Sequence, residues 1–278
     1  MTYPAAIRSG VPLWTSLDDG EHVHYALLAV HTEKGNRIQK NSANIKDIHD
    51  KRRHYLKKII RSVLIFITLI IIVLVGLLIK LRIQTGRILT DYSSIYKDDK
   101  YSAPVYVDGV EVITQDVSCG YACIEMFSAW NGGHLTEDDL YNEYGKVITS
   151  TGDKFCEEMN KRFPEYTTSI HKYMSNTELI DAAYENLARG VPVPFEWAAK
   201  YGDVWTLHYS LLVGMDIPND KITVANPYGY VEELSVDEFL QRTSFEAYEN
   251  MPFYFKLAFA VGMFEKNTIF TVHGLNEN

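Results

Sequence analysis

The segment TQDVSCGYACIEMFSAW, Thr114 to Trp130, predicts a tight turn followed by an amphipathic helix. Ser118 is a favourable N-cap residue, because its hydroxyl oxygen can accept a hydrogen bond from a backbone N–H of the first turn. Cys119 then occupies the first helical position, where the helix dipole favours a thiolate over a thiol. A cysteine in this place is either a thiol nucleophile or a small buried hydrophobe, and the segment alone is compatible with both.

The chain has 278 residues, enough for one sizeable domain with additional segments. Residues 1–90 contain 14 Lys and Arg against 6 Asp and Glu, a net charge of +8. Residues 91–278 contain 13 against 30, a net charge of −17. The acidic C-terminal part argues against a nucleic-acid partner, since a protein that binds phosphates needs a basic surface.

The chain has three cysteines, at positions 119, 123 and 156. None of them forms the CxxC pairs that are typical of zinc sites, so we expect no metal and no cofactor. A disulfide between Cys123 and Cys156 in an oxidising compartment remains open at this point.

Residues 62–79, SVLIFITLIIIVLVGLLI, predict a single transmembrane helix in the cell membrane. At about 1.5 Å per residue these eighteen uncharged residues span roughly 27 Å of bilayer. A buried core helix is a poor alternative because the segment is apolar on every side. A basic juxtamembrane segment, 46–61, precedes it. Residues 42–61 carry seven Lys and Arg and residues 80–99 carry four, which predicts a cytoplasmic N-terminus and an extracellular C-terminal domain.

The rest of the chain divides into a polar stalk, 80–102, and a main domain, 103–278. Residues 1–45 contain SGVP and HYALL, which parallel RGVP and HYSLL within residues 185–229. This half-repeat suggests the remnant of a second domain. Chance similarity and a start assigned inside a longer tandem protein are the alternatives.

Secondary-structure signals in the main domain predict helices first and strands afterwards, which is an α+β order. An Asp-Gly turn at 108–109 within alternating residues predicts a short hairpin. Residues 253–264 are apolar but too short for a second span, so we expect them in the core. The remaining helices are predicted at 119–130, 137–144, 177–189 and 236–242, and the strands at 191–195, 205–216 and 221–226.

A thiol nucleophile needs a base, and the base needs a group that orients it. His208 lies mid-strand among apolar residues, as either a satisfied core histidine or a catalytic one. Asn226 ends the next strand, where it could reach the imidazole edge or simply open a turn. Gln115 could donate an amide N–H to a developing oxyanion.

The order of these residues resembles that of the bacteriocin-processing cysteine peptidases, peptidase family 39 and its C39-like relatives. The resemblance covers about residues 104–278 and is most specific at CGYACIEM and at LHYSLLVG…ANP. It implies a papain-like fold with an N-terminal helical lobe and a C-terminal antiparallel sheet. Family members usually have a longer gap between the glutamine and the cysteine, and an aspartate at the position of Asn226.

By this resemblance Cys119 is the nucleophile, His208 the general base and acid, Asn226 the residue that orients the imidazole, and Gln115 the oxyanion donor. The implied function is a membrane-anchored cysteine peptidase that acts on a peptide or protein, contacts the lipid bilayer through residues 62–79 and has a peptide exporter as a further partner. Two other functions fit the same fold. One is a catalytically silent module that binds peptides or leaders, and the other is amide or acyl transfer by the same triad.

Overall fold

The structure is a computed structural model that describes residues 20–275. These residues form two compact units, divided after Ile70. Helix α1, Gly20–Ile88, supplies the described part of the first unit and continues into the second. Residues 20–45 are therefore helical, whereas the residues they parallel in sequence around His208 form a strand. The start of the half-repeat lies outside the described residues.

Helix α1 contains an 18-residue window of mean hydropathy 3.3, and no residue of that window is buried. It is the one helix in the described part of the chain that is long and apolar enough to cross a membrane. Length and composition are the basis of this assignment.

The second unit is built on an antiparallel sheet with the strand order β2-β7-β3-β4-β5-β6, and β1 pairs with β4 beside β3. The strands are β1 (Val105–Tyr106), β2 (Tyr166–His171), β3 (Val193–Tyr201), β4 (Val204–Asp216), β5 (Lys221–Asn226), β6 (Tyr230–Leu234) and β7 (Thr268–Gly274). The helices after α1 are α2 (Cys119–Trp130), α3 (Glu137–Tyr144), α4 (Gly152–Arg162), α5 (Asn176–Ala188), α6 (Val236–Thr243) and α7 (Phe253–Val261).

The sheet has helices on both faces. Because successive side chains of a strand point to opposite faces, Leu211 and Val213 of β4 pack with α2, α3 and α4, while Leu212 packs with α5 and α6. Strands β3 and β4 form a long hairpin in which Glu196 pairs with Tyr209, and Trp197 with His208. The predicted α+β class, with helices before an antiparallel sheet, is confirmed.

Residues 80–102, predicted as a stalk, include part of the folded unit. Helix α1 continues to Ile88, and two short 3-10 turns follow at Ser93–Lys97 and Asp99–Tyr101. The side chains of Ile88, Ile95 and Tyr101 are buried. Polar residues separate these three side chains in the sequence, so the segment shows no apolar pattern that would predict their burial.

The hairpin predicted around Asp108 is wrong. The strand before the turn, β1, pairs instead with the end of β4, where Val105 lies opposite Met215. Strand β3 pairs with β4 only as far as Leu212. The residues of β4 after Leu212 are therefore free to pair with β1. The expectation that residues 253–264 lie in the core holds only for Phe259 and Ala260 of α7, because Phe253, Tyr254, Val261 and Met263 are exposed.

Candidate active site

The start of α2 is held by hydrogen bonds from two sides. The Ser118 hydroxyl oxygen caps the helix by accepting from the Tyr121 N–H at 3.2 Å. The three backbone N–H groups of residues 116–118 donate to the Glu137 carboxylate of α3 at 3.1, 2.8 and 2.9 Å. Glu137 is buried, and its negative charge faces the positive end of the α2 dipole. Cys119 therefore begins a helix whose entry is anchored to α3.

Gly120 is required by close packing rather than by its backbone conformation. A Cβ atom at this position would lie 2.3 Å from the Thr149 hydroxyl oxygen, which is far inside van der Waals contact. The glycine after the cysteine therefore lets the segment 147–150 approach the helix start. That segment forms one wall of the cavity in front of Cys119.

Cys119 and His208 line the same cavity, which has a volume of about 160 Å³. Strand β4 contributes His208 with its two neighbours, and β3 contributes Glu196. Phe245 and Phe264 close the apolar side. In the described part of the chain no hydrogen bond joins the Cys119 sulfur to the imidazole. The structure thus brings the predicted nucleophile and base to the lining of one cavity.

Burial raises the pKa of Cys119 to about 11, and the backbone N–H groups of Tyr209, Gly120 and Cys119 itself oppose this rise only in part. Burial also lowers the pKa of His208 to about 4, against the hydrogen bond to Asn226. At neutral pH the pair is therefore a thiol and a neutral imidazole. The helix dipole favours the thiolate, but the loss of hydration on burial raises the pKa of the thiol by more.

The orientation of His208 is set by Asn226 and Tyr228. Asn226 Oδ1 lies 3.0 Å from His208 Nε2 and also accepts the Tyr228 backbone N–H at 3.0 Å. Because Oδ1 is an acceptor, Nε2 carries the proton and Nδ1 keeps its lone pair. The Tyr228 ring stacks on the imidazole, with centroids 4.0 Å apart. The Tyr228 hydroxyl oxygen forms a hydrogen bond with the Thr206 hydroxyl oxygen at 2.7 Å.

The other end of the Asn226 amide explains why this position is not an aspartate. Asn226 Nδ2 donates to Glu232 Oε2 at 2.8 Å, and Glu232 Oε1 accepts from Arg242 at 2.7 Å. A carboxylate at position 226 would lie against the Glu232 carboxylate, and like charges so close destabilise each other. The amide removes that repulsion and still accepts from His208.

Gln115 lies at a second cavity, beside Pro227 and Tyr228. Its backbone N–H donates to the Pro227 carbonyl at 2.8 Å, and its side-chain Oε1 is buried without a hydrogen-bond partner among residues 20–275. It is not among the residues that line the Cys119 cavity. Its role as oxyanion donor stays a prediction, and the backbone N–H groups that act on the Cys119 sulfur are those of Tyr209, Gly120 and Cys119 itself.

All three cysteines are free thiols in this structure. Cys123 is fully buried, and the Cys156 thiol donates to the Thr168 carbonyl at 3.4 Å.

Sequence reasoning missed four residues that shape the site: Glu137, Glu196, Tyr228 and Glu232. One of them had a visible signal, because Glu196 is the only charged residue in the apolar run VPVPFEWAA. The other three lie in ordinary polar segments. Their roles depend on contacts between strands and helices that are distant in sequence.

A comparison with curated protein sequences finds no match. Among solved structures, the chain is similar to a double glycine motif protease from an AMS/PCAT transporter in complex with the leader peptide, at 14% identity over 62% of this chain and 97% of that one, with a TM-score of 0.41. It is also similar to the peptidase domain of Streptococcus ComA, a bi-functional ABC transporter involved in quorum sensing, at 14% identity over 60% and 99%, with a TM-score of 0.40. The sequence model described as the Peptidase_C39 like family matches residues 107–254, which include Cys119, His208 and Asn226 and make up more than half of the chain. The chain therefore belongs to the Peptidase_C39 like family.

Proposed function

We propose that the chain is a membrane-anchored cysteine peptidase of the bacteriocin-processing type. The observation that carries the proposal is the shared cavity of Cys119 and His208, with Asn226 holding the far nitrogen of the imidazole. Membership of a peptidase family supports a peptide or protein substrate. A peptide exporter as a further partner stays a prediction from the sequence.

The chemistry follows from the protonation states. Cys119 Sγ attacks the peptide carbonyl carbon while His208 Nδ1 takes the thiol proton, so the ion pair forms during the attack. Backbone N–H groups at the start of α2 stabilise the oxyanion. The C–N bond then breaks, His208 gives its proton to the leaving amine, and a thioester remains. A water that loses its proton to Nδ1 hydrolyses the thioester, releases the acid and restores the thiol.

The test is cleavage of a peptide library by the full-length protein in detergent, read by mass spectrometry. We expect cleavage by the wild type, no cleavage by Cys119→Ala, and a loss of about 10⁴-fold in His208→Ala. Cys156→Ala is the matched control, because that thiol lies outside the cavity. Activity that persists in Cys119→Ala would contradict the mechanism.

A silent peptide-binding module is the second candidate, favoured by the neutral thiol and neutral imidazole of Cys119 and His208. It predicts peptides that bind equally well to the wild type and to Cys119→Ala, without any product. Acyl transfer predicts a third result: in the presence of hydroxylamine the products would be hydroxamates, and without an amine no hydrolysis would occur.

The anchoring part of the proposal rests on residues 62–79 and on the excess of Lys and Arg before them. We propose a cytoplasmic N-terminus and an extracellular peptidase domain. Protease added to intact cells should then degrade the C-terminal domain and leave an epitope tag at the N-terminus intact. Protection of the C-terminal domain until the cells are lysed would reverse the orientation.

A further inference from the structure

Helix α7 is apolar on nearly its whole circumference. It consists of nine residues, FYFKLAFAV, and only Lys256 among them is charged. Phe259 is buried in the folded unit, whereas Phe253 and Tyr254 are 56% and 65% exposed and Val261 is exposed as well. A helix at an ordinary protein surface presents polar and charged side chains to water. An outer face of this composition therefore indicates a binding partner.

The outer face of α7 is one continuous apolar strip. Positions 253, 254, 257 and 261 fall on the same side of an α-helix, and the strip continues past the end of α7 to the exposed Met263. On the opposite side, Phe255 and Phe259 contact the Phe264 ring, with centroids 6.1 and 5.8 Å apart. An aromatic cluster therefore supports the helix from behind and holds its apolar strip outward.

Helix α7 lies beside the end of the apolar part of α1. Leu81 of α1 packs against the cluster that contains Phe259. Next to this contact is a groove of about 480 Å³, in which Leu78 forms part of one wall and Lys256 part of the other. All of these residues belong to the second compact unit. The structure therefore places α7 alongside residues 78–85 of the helix that is long and apolar enough to cross a membrane.

This position corresponds to the depth of the lipid headgroups. The apolar segment ends at Ile79, and Thr85, which also lines the groove, lies about 9 Å further along the helix axis. The headgroup region on each side of the hydrocarbon core is roughly 5–8 Å thick. A bilayer that holds residues 62–79 therefore has its polar boundary beside α7. Aromatic side chains such as those of Phe253 and Tyr254 are favoured at this boundary.

The charges around this face suit lipid phosphates. In the groove the acidic residue is Glu246, which is paired with Lys266 at 2.9 Å, and Glu249 is exposed in the loop before α7. Exposed cations are more numerous than these carboxylates, and cations near a membrane surface attract anionic headgroups. Four of them lie on the end of α1 and on α7: Lys80, Arg82, Arg87 and Lys256.

From this geometry we propose that the outer face of α7, together with Met263, docks at the boundary between headgroups and acyl chains of the bilayer that α1 crosses. The inference rests on the proposed membrane anchoring and adds a second attachment to it. A soluble partner protein or a second copy of the chain would have to occupy the space beside residues 78–85, where the lipid lies.

Docking at α7 fixes the orientation of the Cys119 cavity relative to the bilayer. Phe245 lines both the groove beside α1 and the cavity that contains Cys119. Phe264 also lines the Cys119 cavity, and it directly follows the exposed Met263. A single membrane-spanning helix leaves a domain free to rotate about the helix axis. A second contact with the lipid removes that freedom, so the cavity keeps one direction.

The test is lipid photo-cross-linking of the full-length protein in vesicles of equal amounts of phosphatidylcholine and phosphatidylglycerol. A small fraction of the phosphatidylcholine carries a diazirine in the upper half of one acyl chain. Light releases nitrogen from the diazirine, and the carbene that remains inserts into side chains within the bilayer. The adducts are then mapped by mass spectrometry. We expect adducts at residues 62–79 and at residues 253–263.

The internal control is strand β6, where Tyr230 and Val231 are 43% and 55% exposed. Their exposure is similar to that of the α7 residues, but the proposal does not place them in lipid, so they should remain without adducts. In the variant with both Phe253→Asp and Tyr254→Asp, adducts on α7 should fall about 10-fold, because charges are costly at this depth. Adducts at residues 62–79 should persist in the variant. Tyr230→Asp is the matched control and should leave both sets of adducts unchanged.

Adducts at residues 62–79 without any at residues 253–263 would overturn the docking of α7 and leave the proposed anchor intact. Equal labelling of Tyr230 and Val231 would overturn it too, since exposure alone would then explain the adducts. Amine-specific cross-links that join Lys256 of two copies would assign the face to a second copy of the chain instead. The absence of adducts from both ranges would remove the anchor and the docking together. Peptide cleavage is measured separately, so none of these outcomes decides the peptidase activity.

Discussion

Asn226 connects the candidate base to a charged network through the two ends of one amide. Its oxygen faces His208, and its nitrogen faces Glu232, which in turn pairs with Arg242. The identity of residue 226 and that of residue 232 are therefore coupled, since an acceptor on one must face a donor on the other.

Asn226→Asp should lower kcat about 10-fold and destabilise the protein by about 1–3 kcal/mol, because two carboxylates then share one site. One of the pair would keep its proton, so the deficit should grow as pH rises through the raised carboxyl pKa. Adding Glu232→Gln should restore much of both losses, because the new amide donates to Asp and still accepts from Arg242. A double-mutant cycle on kcat and on the free energy of unfolding measures the coupling, and strictly additive losses would contradict it.

His208 predicts an acid-sensitive contribution to stability. Its pKa is about 4 in the folded protein, below the value of about 6.5 in an unfolded chain. Stability from burying the neutral ring is thus present above pH 6.5 and is lost as the pH falls toward 4, by about 3 kcal/mol. The measurement is the denaturant-induced unfolding of the wild type and of His208→Gln, each at pH 7 and at pH 4.5. The wild type should lose more stability than the variant, and equal losses would contradict the buried neutral ring.

The sequence points to Cys119, His208 and Asn226 through the resemblance of their order to that of a peptidase family, because each residue alone is equally compatible with a core or turn position. Their catalytic roles stay predictions. Glu232 and Glu196 could not be assigned in the same way. The first acts through Asn226, and the second faces the cavity only because β3 pairs with β4 in one register.

At the scale of elements, the start of α2 depends on α3. The Glu137 carboxylate accepts three backbone N–H groups of the turn that leads to Cys119, and its own N–H donates to Glu125 at 2.8 Å. The capping residue Ser118 was visible in the sequence, since a helix cap is local. The contribution of Glu137 was not visible, because it joins two helices across an intervening loop.

Glu137→Ala should destabilise the protein by on the order of 3 kcal/mol, because three partly buried backbone N–H groups lose a charged acceptor. The same change should slow cleavage, since the segment that positions Cys119 loses its anchor. Asp138→Ala, an exposed carboxylate in the same turn of α3, should alter stability by about 0.5 kcal/mol or less. Chemical denaturation of both variants measures the two losses of stability. Equal losses would show that a negative charge near the helix start is what stabilises the protein, and that the three hydrogen bonds to Glu137 are not.

At the scale of the whole chain, residues before 103 contribute buried side chains to the folded unit. The polar character of residues 80–102 predicted a stalk, yet this segment buries Ile88, Ile95 and Tyr101. Tyr101 contacts Tyr184 of α5 edge-on, with centroids 5.0 Å apart. Composition alone cannot reveal this, because a few apolar residues spaced among charges suffice to attach a segment to a core.

A soluble fragment 80–278 should therefore be more stable than a fragment 103–278, by on the order of 5 kcal/mol from the buried side chains alone. Thermal unfolding of the two purified fragments is the measurement. Equal midpoints would show that residues 80–102 are only a tether, as the sequence predicted.

Helix α1 runs without a break into the folded unit, and this limits the distance between the bilayer and that unit on the proposed topology. The apolar segment ends at Ile79, and the same helix runs on through Leu81, which packs against the cluster of Phe245 and Phe259, to the buried Ile88. On the proposed topology at most nine helical residues, 80–88, therefore lie between the bilayer and the core. Nine residues of α-helix are about 14 Å long. A peptidase carried at so short a distance cannot search freely through the surroundings of the cell. It would act on chains that emerge from the membrane beside it or that lie along the membrane surface. Substrates would then be selected by the height of the scissile bond above the bilayer as well as by the residues around that bond.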